Sequence, residues 1–150
     1  MRIVLQRVAQ AAVRLPDESP PREAGRIGAG LLAMVGFTAG DGEEVLSWMA
    51  GKIADLRVFP GEGGAMDRSL RETGGGLLLV SQFTLYADTR KGRRPDFTAA
   101  APYAEAERLF ERFRETCQGE LPGRVASGVF GAKMEVDLVN DGPVTLVIDR

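Results

Sequence analysis

A chain of 150 residues, 44% hydrophobic, has the apolar content of one globular domain with its own core and room for little more. With 19 basic against 21 acidic residues its net charge is −2, which argues against wrapping a long phosphate backbone and leaves only local contact with nucleic acid. It has no histidine, which excludes Ser-His-Asp and Cys-His catalysis, His-ligated zinc and imidazole general-base chemistry, and its single cysteine, Cys117, can form no internal disulfide.

The first residues, Met1 to Val8, lack the apolar h-region of a signal peptide, and no later stretch approaches the roughly 20 apolar residues that span a bilayer. A soluble, cytoplasmic protein with no membrane partner is expected, organised as one domain over 1–150. Ile3 to Val13 is rich in Val, Ile and Leu and reads as a first strand buried on at least one face. The proline-rich, charged segment Leu15 to Glu23 reads as an exposed hairpin loop. Gly30 to Phe37 is a short apolar run bounded by glycines, which its length marks as a central strand.

From Glu43 the period changes. Val45, Leu46, Met49, Ile53 and Leu56 recur at spacings of three and four, with Glu43 and Glu44 in the first turn, so an amphipathic helix is predicted to about Arg57, with Trp48 and Met49 read as packing residues. Gly61 to Gly64 reads as a loop, and the glycines at 74 to 76 as a flexible turn before a strand that begins at Leu77. Pro102 marks a second helix, whose stripe of Ala104, Leu109, Phe110, Phe113 and Cys117 runs to Gly119. Strands are read at Val125–Phe130, Lys133–Val139 and Val144–Ile148. The predicted fold is α/β: mixed sheets packed face to face, barrel-like, with two helices on one outer face, in three layers α/β/β.

With histidine and cysteine clusters absent, chemistry is left to hydroxyls, carboxylates, amides and the backbone. Ser81, Gln82 and Thr84 follow a buried strand, where polar side chains need partners. Either the strand emerges there into solvent, or a polar patch at its end holds a carbonyl or an oxyanion. Asn140-Asp141-Gly142-Pro143 is by default a hairpin turn, yet Gly142 has no side chain and Pro143 no amide hydrogen, so the dipeptide also presents unshielded carbonyls at close range. Arg90-Lys91-Gly92-Arg93-Arg94 places four cations in five positions, and a solvated loop is the plain reading of such a run.

Ser81-Gln82-Phe83-Thr84-Leu85 and Asn140-Asp141-Gly142-Pro143-Val144-Thr145 resemble the two signature motifs of the D-aminoacyl-tRNA deacylase family. Gln6-Arg7-Val8, Gly28 with Gly30-Leu31-Leu32, Lys52-Ile53 with Leu56 to Phe59, Tyr86 to Pro95, and Phe130-Gly131-Ala132 resemble that family in the same order, over almost the whole chain.

The resemblance implies a carboxylic ester hydrolase that releases D-amino acids, and mischarged glycine, from the 3′ end of tRNA. It implies a homodimer with active sites at the interface, where a cis Gly142-Pro143 projects into the partner's pocket and takes the space of an L side chain, with Arg7 bracing it. Ser81, Gln82, Phe83 and Thr84 would form the catalytic floor, with amides near Phe83 and Thr84 facing the oxyanion. Lys91, Arg93, Arg94, Pro95 and Phe97 would flank the terminal adenosine, with Asn140 and Met134 added to the substrate-binding set. No metal, no cofactor and no DNA partner is implied. Thr84 has no general base beside it in sequence, so water, helped by the ribose 2′-OH, is the expected nucleophile.

Two departures stand out: the loop from Pro16 to Glu23 is longer than usual in the family, and Lys133 replaces a common acidic residue. Beyond a structural dimer with no ligand, which leaves both motifs unexplained, two rival readings remain. The related L-alanine-removing deacylases have Pro-Gln-Ala-Thr where this chain has Ser81-Gln82-Phe83-Thr84. A non-catalytic module that binds a tRNA end or a nucleotide would use the Arg90–Arg94 loop alone.

Overall fold

Strand β1 runs from Arg2 to Leu15 in a computed structural model that describes residues 1–150, and its two halves serve different neighbours. Along one edge it pairs antiparallel with β8 (Glu135–Asp149) over most of its length. Along the other it pairs with β3 (Gly30–Gly36) from Arg2 to Val8 and with β2 (Arg22–Ile27) from Ala11 to Leu15. Its buried side chains change sides at the junction. Ile3 and Leu5 join the larger core, while Val8, Ala11 and Val13 join the smaller one.

The sheet continues in parallel from β3 to β6 (Gly76–Ser81) and from β6 to β7 (Val125–Ser127). It then curls back on itself: a Cβ added to Gly25 of β2 would lie 2.8 Å from the carbonyl oxygen of Ser127 in β7, so the barrel is nearly closed. The parallel pairing of β3 with β6 needs glycine at its start. A Cβ on Gly30 would fall 2.0 Å from the carbonyl oxygen of Gly76 across the register.

Alternate residues of β3 and β6 then face two different cores, as a period of two requires. Leu31, Ala33, Val35, Leu77 and Leu79 face α1 (Glu43–Asp55) and α3 (Tyr103–Glu120). Leu32, Leu78 and Val80 point into the barrel with Met134, Val136 and Leu138 packed beside them. α3 contributes Phe110 and Phe113, both 0% exposed, and burying each ring stabilises the fold by about 1.5–3 kcal/mol. The α/β/β layering is therefore present, with one curled sheet supplying both β layers in place of two separate sheets.

Several elements differ from the sequence reading. β2 begins inside the segment read as a hairpin loop, and a two-stranded hairpin of β4 (Phe59–Pro60) with β5 (Met66–Arg68) flanks the loop read at Gly61–Gly64; neither is predicted as a strand, because short, solvent-facing strands carry no hydrophobic period. A third, one-turn helix, α2 (Leu70–Thr73), is stabilised by a full capping box between Ser69 and Glu72, a signal the sequence displays as S-x-x-E. The two strands read at 133–139 and 144–148 are one strand, β8, and β7 stops at Ser127. Trp48 is not in the core: it is 39% exposed, with the Arg150 guanidinium 5.1 Å from its ring centroid. Ala106, not Ala104, is the buried first member of the α3 stripe, and Cys117 is buried among helix contacts as expected. No helix is long and apolar enough to cross a membrane.

Candidate active site

β6 ends at Ser81, opposite Val35, and the Gln82 amide makes the last rung by donating to the Val35 carbonyl at 2.7 Å. The chain then tightens into a 3-10 turn over Phe83–Tyr86. The opening amides of such a turn, those of Phe83 and Thr84, have no partner within it and are free to meet an anionic oxygen. The Gln82 side-chain amide donates to the Thr84 hydroxyl oxygen, which fixes both side chains. Arg2 anchors the far end of the turn. Its Nη1 donates to the Leu85 carbonyl at 3.0 Å, its Nε reaches Asp149 at 2.6 Å, and the guanidinium lies over the Tyr86 ring. Burial, aided by Asp41, pushes the Tyr86 phenol up to about 12, so it stays protonated and is no base.

This strand end is on the wall of a cleft of about 680 Å³, a size suited to a small ligand. Of its 17 lining residues 13 are hydrophobic, and none carries a carboxylate, an ammonium or a guanidinium. Ser81, Gln82, Phe83, Phe97 and Met134 line it together. Phe83 and Phe97 meet edge to face with ring centroids 5.1 Å apart, and Tyr103 meets Phe130 likewise at 5.1 Å.

The basic loop is tied at its base by paired backbone hydrogen bonds between Asp88 and Asp96, at 2.7 and 2.9 Å. Arg90 turns back onto Asp88, Nη2 to Oδ2 at 2.6 Å, and this pair holds the Asp88 carboxyl below its ordinary range. The hydrogen bonds from Thr98 do the same for Asp96. Lys91, Arg93 and Arg94 are exposed and make no ion pair, so three of the four cations are free beside the cleft residue Phe97.

The second motif is an excursion within β8. Asn140 pairs with Val8 and Thr145 with Gln6, so residues 141–144 bulge out opposite Arg7 alone. This is not the hairpin turn that the sequence favours, because the strand keeps its direction on both sides. The Gly142-Pro143 bond is cis, and Asp141, Gly142 and Pro143 are all exposed. Arg7, only 8% exposed, braces the bulge: Nε donates to the Asp141 carbonyl at 3.2 Å and lies 3.0 Å from its carboxylate, while Nη1 donates to the Val58 carbonyl. Asn140 holds the other side by donating to the carbonyls of Arg7 and Val144, at 3.3 and 3.2 Å.

Of the predicted residues, Ser81, Gln82, Phe83, Phe97 and Met134 line the cleft, Thr84 and the loop residues Lys91, Arg93, Arg94 and Pro95 do not, and Arg7, Asn140, Gly142 and Pro143 form a separate group at the bulge. β6, β3, β1 and β8 are successive neighbours, so Gly142 is three strands over from Ser81 and roughly 13 Å further along β1. Sequence reasoning gave no site role to Tyr103 or Phe130. Tyr103 opens a helix and Phe130 follows a strand, and neither period distinguishes a cleft wall from a core. Of the two departures, Lys133 reaches Asp17 in the long loop at 3.1 Å, an exposed pair that joins that loop to the segment between Ala132 and Met134.

The family profile of D-Tyr-tRNA(Tyr) deacylase matches residues 4–149. A curated D-aminoacyl-tRNA deacylase of Stenotrophomonas maltophilia (strain K279a) is 57% identical over 148 residues and is matched over 99% of both chains. One of Nitratidesulfovibrio vulgaris (strain DP4) is 53% identical over 154 residues, matched over 99% of this chain and 93% of its own. Among solved structures, a c-Myc DNA unwinding element binding protein superposes with a TM-score of 0.91 at 36% identity, over 100% of this chain and 99% of its own. A probable eukaryotic D-amino acid tRNA deacylase superposes at 0.83 with 21% identity, over 99% and 98%, and supports the fold.

Proposed function

Because the chain belongs to the D-Tyr-tRNA(Tyr) deacylase family, we propose that it hydrolyses the ester of D-aminoacyl-tRNA, and of mischarged Gly-tRNA, releasing the free amino acid. The observation that carries this reading is the cleft beside Ser81-Gln82-Phe83. It has the size of a ligand, no ionisable side chain but the Tyr103 phenol, and the unpaired amides of a 3-10 turn at its edge. A site with donors and without a general base suits a reaction in which the protein stabilises the oxyanion and the substrate's own 2′-OH helps water attack. In this reading Ser81, Gln82 and Phe83 hold the aminoacyl group, Met134 and Phe97 bound the adenosine, and Lys91, Arg93, Arg94 and Pro95 follow the 3′ end.

Chirality is set in this proposal by Gly142 and Pro143 of a second copy. The bulge is exposed, three strands from Ser81 and six residues along β8 from Val136, where that strand meets the cleft, which favours a homodimer in which each copy completes the other's site. Backbone carbonyls in the space of an L side chain reject it by contact, while a D side chain points elsewhere and glycine has none. The enzyme works in the cytoplasm in this account.

Thr84 orients and does not attack, since its hydroxyl oxygen already accepts from Gln82 and no base adjoins it. Thr84→Ala should therefore keep single-turnover hydrolysis of D-Tyr-tRNA within about tenfold of the parent, where loss of a general base costs about 10²–10⁴ and loss of a hydroxyl nucleophile costs more. The DNA-element-binding neighbour and the free cations support the second reading, a binding module for nucleic-acid ends. Retention of D-Tyr-tRNA on the protein with no hydrolysis above the spontaneous rate would select that reading.

A further inference from the structure

Five of the chain's ten aromatic residues line one cleft, and three of the four that are substantially exposed are among them: Phe83 at 56%, Phe97 at 37% and Tyr103 at 62%. Apolar rings in water are otherwise avoided, so their concentration around one opening calls for a flat partner. The three free cations Lys91, Arg93 and Arg94 are on the loop that leads into Phe97. Aromatic platforms beside unpaired cations are how proteins hold unstacked, single-stranded nucleic acid.

Tyr103 is the most exposed of these rings, and it is also fixed. Its hydroxyl is seated over Gly131, where an added Cβ would fall 2.1 Å from the phenol oxygen, and its ring meets Phe130 edge to face at 5.1 Å. One edge is thus spent on holding the ring, and a broad surface is left to solvent at the mouth. Resting on the deacylase reading above, we infer that Tyr103 is a specificity-determining residue: a stacking platform for the base of the nucleotide that precedes the terminal adenosine. The ester is bound at the Ser81–Thr84 end and the terminal nucleoside occupies the cleft, so the chain leaves through the mouth past Tyr103. Binding there rewards an attached RNA strand over a free aminoacyl nucleoside.

The test compares two substrates, the D-tyrosyl ester of adenosine and the D-tyrosyl ester of the trinucleotide CCA, with the parent protein, Tyr103→Ala and Tyr103→Phe. The parent should show a lower KM for the trinucleotide. Tyr103→Ala should lose about tenfold of that advantage, toward the low end of what stacking one base is worth, and Tyr103→Phe should keep it. A trinucleotide advantage equal in parent and Tyr103→Ala overturns the inference, as does its loss in Tyr103→Phe, which would make the hydroxyl and not the ring the source. If the parent hydrolyses neither ester, the deacylase reading itself fails, and that outcome is distinct from both.

Discussion

Gly142 carries a backbone φ of +125°, a region that L side chains rarely adopt, and a Cβ there would lie 2.9 Å from both Arg7 Nη2 and Val144 Cγ2 and 3.0 Å from the Val144 amide nitrogen. Relief of these contacts moves the bulge or the buried Arg7 that braces it. Gly142→Ala should accordingly cost on the order of 1–2 kcal/mol of stability and erase most of the D-over-L preference, measured as the ratio of hydrolysis rates on D- and L-Tyr-tRNA. A stable variant with parental preference would detach Gly142 from discrimination. The polar residues after β6 and the Gly-Pro pair stand out in sequence because their chemistry is out of place in a strand. Tyr103 does not, since a tyrosine opening an amphipathic helix has nothing to mark it until Gly131, 28 positions on, is seen beneath its hydroxyl.

At the scale of elements, α1, α3, β1, β3 and β6 were legible because each buries a face and so carries a period. α1 begins at Glu43 and α3 spans the predicted stripe, each with its ends within two residues of the prediction. β2 and the β4–β5 hairpin were not legible: their stability comes from neighbours' backbone groups, which sequence period does not record. The continuity of β8 was hidden for another reason. Gly142-Pro143 reads as a strand break, and only the antiparallel partner β1, held by Arg7 and Asn140, carries the strand past it. The glycine triplet at 74–76 has a packing role in addition to a turn, since Gly76 faces Gly30 across the β3–β6 pair. Gly30→Ala forces a Cβ to within 2.0 Å of a backbone oxygen with no flexible side chain to yield, and should destabilise the protein by about 3 kcal/mol or more. Urea denaturation checks it, and an unchanged midpoint would mean that β3 and β6 do not pair in this register.

For the molecule as a whole, a net charge of −2 with three free cations on the loop that leads to the cleft residue Phe97 fits contact with a short 3′ end and not with a long duplex. Its stability should be sensitive to alkali. Burial, and to a smaller extent Glu120, pushes the Cys117 thiol from 9.0 up to about 12, and burial raises the Tyr86 phenol from 10.0 to about 12. Both groups ionise in the unfolded chain before they do so in the folded one. Stability is therefore full below about pH 9 and falls as pH rises from there toward 12. Cys117→Ala should start less stable at pH 8 and lose less between pH 8 and 10.5, as read from denaturation midpoints; an equal loss would remove Cys117 from the effect. The central claim is hydrolysis selected by the handedness of the ester, and it is tested most directly by following D-Tyr-tRNA and L-Tyr-tRNA side by side with the purified protein in EDTA. The account predicts rapid loss of the D ester while the L ester decays at its spontaneous rate, and equal rates for the two esters, whether fast or spontaneous, would contradict it.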